Sequence, residues 1–438
     1  MTWIDGLLIF ITILLIYFSF ILFLKKRNLL EKYNLGLMGP VLLIKTKKGI
    51  GYLKRVSSKK RFWRGYGTVA VIICFILMIV MVFFFIWQIN LLTAIPAEQR
   101  SNLPGPEFAL VLPGINPILP LEYLVYIVVA LSVAIIVHEF SHGILTFVAD
   151  IKVKSMGIAY MIIPIGAFVE PDEEALMKTK IPKRLRVFAV GPMANFIVVL
   201  ICLLLFTNVF MASVQPGDGL TVYEVYEDSP AYNIGIRKGT IILSVNKTDF
   251  TNISDPYEKY FEYNEIINKT KVNDSITISF IKNNEKYLKQ LKLDNKINYV
   301  QITNETNLTD IKGKGETGIF SFVDEGENLK RLSSIPTNTN DILNLISLPV
   351  LGYFSGYNPI ISPFTDSYEI TGPLSFIPEP VFWIIVNLLY WIFWLNLMVG
   401  LFNVIPMKPL DGGYLFTDYI RLFIKRVRKE ITEERLDK

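Results

Sequence analysis

Five stretches of this 438-residue chain, 3–24, 68–93, 121–149, 186–212 and 381–405, are continuously rich in apolar side chains. A helix of about 20 residues crosses a hydrocarbon core of about 30 Å. A chain with five such runs is constrained, before any other feature is read, to a polytopic α-helical membrane protein. A sixth apolar passage at 342–353 is short and carries Pro349 and Gly352, so the expectation is five to six transmembrane helices. With 52% apolar and only 19% charged residues, the composition excludes an ordinary soluble fold. The first run lacks a basic leader and is followed by "KKRNLL" rather than a small-residue cleavage site, so it reads as a retained span and not as a signal peptide.

Charge orients the spans. Residues 25–66 hold thirteen Lys or Arg against the single acid Glu31, which places that loop in the cytoplasm. Counting onward, 94–120 lies outside, 150–185 inside, 213–380 outside, and the basic tail "IKRVRK" inside. Six N-x-[ST] sequons, beginning at Asn246, Asn252, Asn268, Asn273, Asn304 and Asn307, all fall in 213–380, as an external segment would allow. The net charge of +5 is modest, and the basic residues stand beside apolar runs with no aromatic interleaving, so no nucleic-acid partner is expected. Cys74 and Cys202 sit inside apolar runs and read as buried side chains rather than a disulfide.

Between the fourth and fifth spans the pattern changes to short alternating strands over 216–300. The piece "GLTVYEVYEDSPAYNIGIRKGTIILSVN" resembles the PDZ family, where a strand, an "SPA" helix start and a "G-I-x-x-G-x-x-I" turn recur in this order. It departs at Thr240, where many relatives carry Asp. The expected division is therefore 1–95, a two-span hairpin with a basic loop; 121–212, the first half of a membrane core; 213–330, a PDZ-like α+β domain inserted outside the membrane; 331–380, a linker; and 381–438, the second half of the core with its tail.

The third span carries the chemistry. In "VAIIVHEFSHGILTFV" the chain's only two histidines, His138 and His142, are spaced i and i+4, so both imidazoles share one helix face and can meet one zinc ion. Glu139 stands beside them as a general base for a water activated at the metal. Ionisable groups within a span are costly and functional by default. The competing explanation is a satisfied polar cluster that ties helices together. Seventeen residues separate Leu121 from His138, about 25 Å of helix, which sets the motif towards the cytoplasmic side. Catalytic zinc sites take three protein ligands. With no third histidine, a carboxylate is required, and the best candidate is Asp411 in "NVIPMKPLDGGYL", just past the cytoplasmic end of the last span where prolines and glycines break the helix. The alternative is a solvated turn aspartate, against which its place on the same side and at similar depth as the histidines counts.

"HEFSH" within a span, "GPMANF" opening the next, the PDZ-like insertion and "NVIPMKPLDGG" after the last span together resemble the site-2 protease family of intramembrane zinc metalloproteases, over residue 121 to the C-terminus. The resemblance implies zinc, one ion per chain, on His138, His142 and Asp411, with Glu139 as base. It implies that the substrates are transmembrane proteins, cut within their spans in a lipid setting. It further points to Asn195, either as an oxyanion donor or simply as part of a close helix contact through Gly191 and Ala194. Asn403 has two readings as well, orienting Asp411 or satisfying broken backbone. Residues 156–169, with Gly157, Pro164 and Gly166, suit an extended re-entrant segment. The resemblance implies that it receives substrate by strand addition.

The expected setting is a prokaryotic plasma membrane, with the PDZ-like domain extracytoplasmic and the active site near the cytoplasmic face. The alternative is a non-catalytic scaffold whose PDZ-like domain binds protein tails. Neither the oligomeric state nor a role for 1–95 follows from the sequence.

Overall fold

The computed structural model describes residues 3–96, 116, 118–119, 121–161, 163–282, 285–299 and 312–427. Sequons Asn304 and Asn307, most of the loop 94–120 and the end of the basic tail lie outside them. The chain forms two compact units, one of 1–105, 122–201 and 391–438, the other of 106–121 and 202–390.

The first unit opens with helix α1 (Trp3–Lys26), strands β1 (Leu35–Met38) and β2 (Val41–Thr46), and a short helix α2 (Ile50–Val56). Next come the long helix α3 (Lys60–Ala94), α4 (Leu124–Val148), strands β3 (Val153–Met161) and β4 (Ile163–Pro171), and α5 (Ile181–Leu205). Four helical stretches among the described residues are long and apolar enough to cross a membrane: Lys60–Ala94, Leu121–Val148, Ile181–Ser213 and Glu379–Asn403. They coincide with four of the expected spans, and the remaining expected span falls on α1. Helix α3 begins eight residues before the expected 68 because Lys60, Arg61 and Arg64 are good helix formers, and charge at a helix end is free to reach the water.

The basic loop 25–66 is not a plain connection. Its strands β1 and β2 join β3 and β4 in one antiparallel sheet of order β1-β2-β3-β4. A Cβ on Gly157 would fall 1.9 Å from the Ile44 carbonyl oxygen, so only glycine lets β3 lie against β2. The Tyr17 hydroxyl of α1 reaches the carbonyls of Pro40 at 2.8 Å and Tyr160 at 2.9 Å, tying the helix to both hairpins. Lys45 on β2 pairs with Glu170 on β4 at 2.8 Å. The expected extended segment 156–169 is thus β-structure across two strands, and the N-terminal region supplies half of its sheet.

The second unit holds β5 (Val214–Pro216), β6 (Leu220–Val225), β7 (Ile241–Val245), β8 (Thr248–Asp249), helix α6 (Pro256–Asn268), β9 (Ser275–Lys282) and β10 (Glu285–Lys292). Strand β11 (Ile319–Phe322), helices α7 (Glu325–Leu332) and α8 (Thr339–Ser355) and β12 (Tyr368–Ile370) follow. The main sheet runs β10-β9-β7-β6-β11, with β8 on β7. Its apolar residues alternate inward, and Val222, Ile242, Val245, Ile278 and Phe280 are at most 1% exposed.

The "SPA" element forms as its sequence suggests, with the Ser229 hydroxyl accepting from the Tyr232 N–H at 3.2 Å. At the departure from the family pattern, the Thr240 hydroxyl accepts from the Arg237 N–H at 3.0 Å, so threonine fills the acceptor role a carboxylate would have there. Asn246, Asn252, Asn268 and Asn273 are all exposed.

Residues 331–380 carry more structure than a linker. They contain α8, which runs through Pro349, and β12, which pairs with β5 in the register Tyr368↔Pro216 to Ile370↔Val214. Thus a strand on the far side of the PDZ-like sequence closes a ladder with the strand that enters it.

Glu325, at the start of α7, is 5% exposed. Burial raises its carboxyl to about 7, against the weaker opposing pull of the Thr221 and Ser367 hydroxyls and of Lys259. Because the folded value lies above the unfolded one, its contribution to stability is complete below pH 4.5 and is lost as the pH rises through about 7. Amides of β6 and α7 should therefore exchange more slowly at pH 5 than at pH 8 once intrinsic rates are removed. Glu325→Gln should abolish the difference, and a pH effect of equal size in the variant would assign it to another group.

The chain ends in α9 (Glu379–Asn403) and α10 (Asp411–Val427). Within the first unit, helix α10 packs on α3 and α5 by both polar and aromatic contacts. The Arg184 guanidinium on α5 grips both Asp418 carboxylate oxygens, with Nε donating to Oδ2 at 2.6 Å, and both side chains are 4% exposed. Phe188 stacks on Tyr414 at 4.7 Å, and the Tyr419 hydroxyl donates to the Val71 carbonyl at 2.7 Å. Removing one partner of a buried, bidentate pair leaves an uncompensated charge. The pair fixes the helix that begins at Asp411.

Candidate metal centre

Helix α4 buries Ile127, Ala130, Ala134 and His138 at spacings of three and four, so the first histidine falls on the stripe that faces protein rather than lipid. His142 follows one turn later, and the two rings meet edge to face with centroids 4.7 Å apart. Asp411 is the first residue of α10, held there by the contacts just described.

The fold brings the three together across 273 and 269 residues of chain. His138 Nε2 lies 2.9 Å and His142 Nε2 3.1 Å from the same oxygen, Asp411 Oδ2. All three ligand atoms fall within 4.8 Å of one another. Each ring is held from behind: His142 Nδ1–H donates to the Val187 carbonyl at 2.7 Å, and His138 Nδ1–H donates to Asn195 Oδ1 at 3.3 Å. With the protons on Nδ1, both Nε2 atoms present lone pairs to a carboxylate oxygen. Three acceptors at that separation repel unless a metal ion or a proton lies among them. The three atoms form a group that could hold a metal ion, and two imidazole nitrogens with one carboxylate oxygen is a donor set that zinc accepts.

Clearance points the same way. A Cβ on Gly191 of α5 would lie 2.3 Å from His142 Nε2 and 2.6 Å from His138 Nε2. The space that a side chain would fill is the space in front of the ligand atoms. The close helix contact at Gly191 is one that sets α5 against the imidazoles of α4.

Glu139 points elsewhere, with its Oε2 accepting from the Val169 N–H at 3.0 Å. In the β3–β4 register Val169 stands opposite Met156, and β4 is an edge of the sheet. An amide of β4 that meets a helix side chain points away from β3, towards the open edge. The carboxylate beside the ligand pair is therefore fastened to the β4 edge of the sheet, the opposite edge being β1.

Asn195 is fully buried, and its Nδ2 has no hydrogen-bond partner among the described residues. The Asn403 amide donates to the Val399 carbonyl of its own helix at 2.9 Å. Sequence reasoning missed the Val187 carbonyl and the Val169 amide, main-chain groups that residue identity does not reveal. It also missed the Arg184–Asp418 clamp, although two opposite charges at the ends of apolar segments were a visible signal.

The model of peptidase family M50 matches residues 126–436, which include α4 from its third residue, both hairpin strands β3 and β4, and Asp411. This chain belongs to peptidase family M50, the site-2 protease family. An uncharacterised protein of Methanocaldococcus jannaschii is 24% identical over 92% of this M50 chain and 84% of its own. A Clostridium perfringens protein provisionally named a zinc metalloprotease is 24% identical over 70% and 90%. The regulator of sigma-W protease RasP of Bacillus subtilis is 28% identical over 58% of this chain and 53% of its own. Among solved structures, the PDZ domain of an SdrC-like protein from Listeria monocytogenes covers 25% of this chain and 90% of its own, at 21% identity and a TM-score of 0.18. This M50 peptidase is an integral membrane metalloprotease of the zinc-dependent class, and membrane proteins are the substrates of its family.

Proposed function

We propose that the chain is an intramembrane endopeptidase that uses one zinc ion to cleave transmembrane segments near the cytoplasmic face. The observation that carries this reading is the convergence of His138 Nε2 and His142 Nε2 on Asp411 Oδ2, with Glu139 fastened to the open edge of β4. His138, His142 and Asp411 would hold the ion, and zinc in such a site supplies Lewis acidity to a carbonyl oxygen and lowers the pKa of water.

The rest is the work of the chain's own side chains and amides. A transmembrane helix hides its peptide bonds, so a substrate must be extended before it is cut. An unpaired strand edge offers its amides and carbonyls for that purpose. A substrate strand added to β4 would lie beside Glu139, whose carboxylate takes a proton from the attacking water and returns it to the leaving amine. The unpartnered Asn195 Nδ2 is a donor for the oxygen on which charge develops, while its Oδ1 orients His138.

The basic loop 25–66 and the exposed sequons support an orientation with the PDZ-like domain outside, where it would restrict or recognise substrates, and a prokaryotic plasma membrane as the setting. The division of the chain at 121–212, 213–330 and 381–438 belongs to the same reading.

Zinc content tests the centre. Protein purified in detergent should hold close to one zinc per chain, and Asp411→Ala should lose most of it, since a site with two remaining ligands cannot complete its shell. Zinc retained in full by Asp411→Ala would remove this residue from the centre.

A further inference from the structure

The cytoplasm-side ends of three spans enclose a second site, separate from the metal centre. A cavity of about 260 Å³ opens where α3 begins, α4 ends and α5 begins. Its floor is apolar, made by Leu145, Val148 and Ala149. Its rim is cationic, made by Arg64, Lys183 and Arg186. The acid available to these cations is Asp150, and it is already shared by Lys60 and by Lys183, the latter at 3.4 Å. Lys183 also donates to the Ala149 carbonyl at 3.1 Å. No ion pair engages Arg64 or Arg186 among the described residues; Arg186 spends its Nε–H on the Thr68 hydroxyl at 3.1 Å, which aims the guanidinium along the α3–α5 seam.

Two unpaired guanidiniums over an apolar floor form a particular kind of receptor. Guanidinium matches the paired oxygens of a phosphate. A free phosphate needs donors on every side, and the floor offers none. A phosphate with an apolar body attached meets both surfaces at once, and the ends of membrane-spanning helices are where such molecules lie. Basic pockets between spans at this depth suit anionic headgroups. We infer that Arg64, Lys183 and Arg186 bind the phosphodiester of an anionic membrane phospholipid.

The site also has a route to the metal centre. Arg184 and Val187 share the first turns of α5 with Lys183 and Arg186; the first clamps α10 through Asp418, and the second orients His142. A lipid bridging Arg64 to Arg186 would brace that segment.

The test uses the full chain in nanodiscs of phosphatidylcholine with a minor fraction of phosphatidylglycerol of the same acyl chains, and counts retained lipid by native mass spectrometry. The native chain should retain phosphatidylglycerol selectively. The double variant Arg64→Gln, Arg186→Gln should weaken retention about thirtyfold, the effect of two basic contacts. Lys47→Gln with Lys48→Gln, which removes the same charge elsewhere, should leave it unchanged. Equal loss in both double variants would reduce the effect to general surface charge and overturn the site. Displacement of the lipid by millimolar inorganic phosphate would show a free-anion site instead. Should the arginine variant fail to fold, the native chain decides alone: retention of the two lipids in proportion to their supply overturns the inference.

Discussion

Glu139→Gln should retain zinc and fold while losing cleavage of a membrane-protein substrate by a factor of about 10² to 10⁴, the usual contribution of a positioned general base. The amide keeps an oxygen for the Val169 N–H, so the bond that fixes the side chain to β4 survives, and the change falls on proton transfer. Zinc content together with single-turnover cleavage separates the outcomes. Full activity in the variant would reject Glu139 as the base. Loss of zinc along with activity would mean that the carboxylate supports the centre rather than the proton.

Gly191→Ala should do the reverse, removing both zinc and activity by adding one methyl group. The added carbon would stand 2.3 Å from His142 Nε2 and 2.6 Å from His138 Nε2, far inside contact distance. The histidines cannot retreat easily, because His142 is tied to Val187 and His138 to Asn195. Alanine is a better helix former than glycine, so α5 itself gains about 1 kcal/mol of propensity and the chain should still assemble. Zinc measured near one per chain in Gly191→Ala would show that the metal does not sit in front of these nitrogens.

The candidate ligands His138 and His142 were legible for reasons that are local and strong. Two histidines one helical turn apart have one spatial arrangement, and their price in a span leaves few roles. Asp411 was legible through the absence of a third histidine, the family resemblance of its motif and the parity of spans that put it at the depth of His138, and the structure brings the two to 2.9 Å. Other features required knowledge of partners distant in sequence. Strands β1 and β2 alternate over a handful of residues, too few to announce that β3, more than a hundred positions away, is their neighbour. Helix α8 was obscured by Pro349 and Gly352, which read as interruptions; a proline within a helix removes one donor, and packing of Leu345 and Leu348 offsets the loss. Asn195 and Asn403 looked alike as polar residues at the ends of spans. Their difference lies in which acceptor each amide reaches.

The two histidines are braced by unlike materials. His138 leans on a side chain, Asn195, which a single base change can replace. His142 leans on the main-chain oxygen of Val187, present whatever residue is encoded there. Mutational drift can therefore retune one half of the centre in small steps while the other half is inherited with the path of the backbone. A substitution at Asn195 removes both the brace of His138 and the amide donor proposed above, whereas at Val187 only a change in the path of the backbone removes the acceptor.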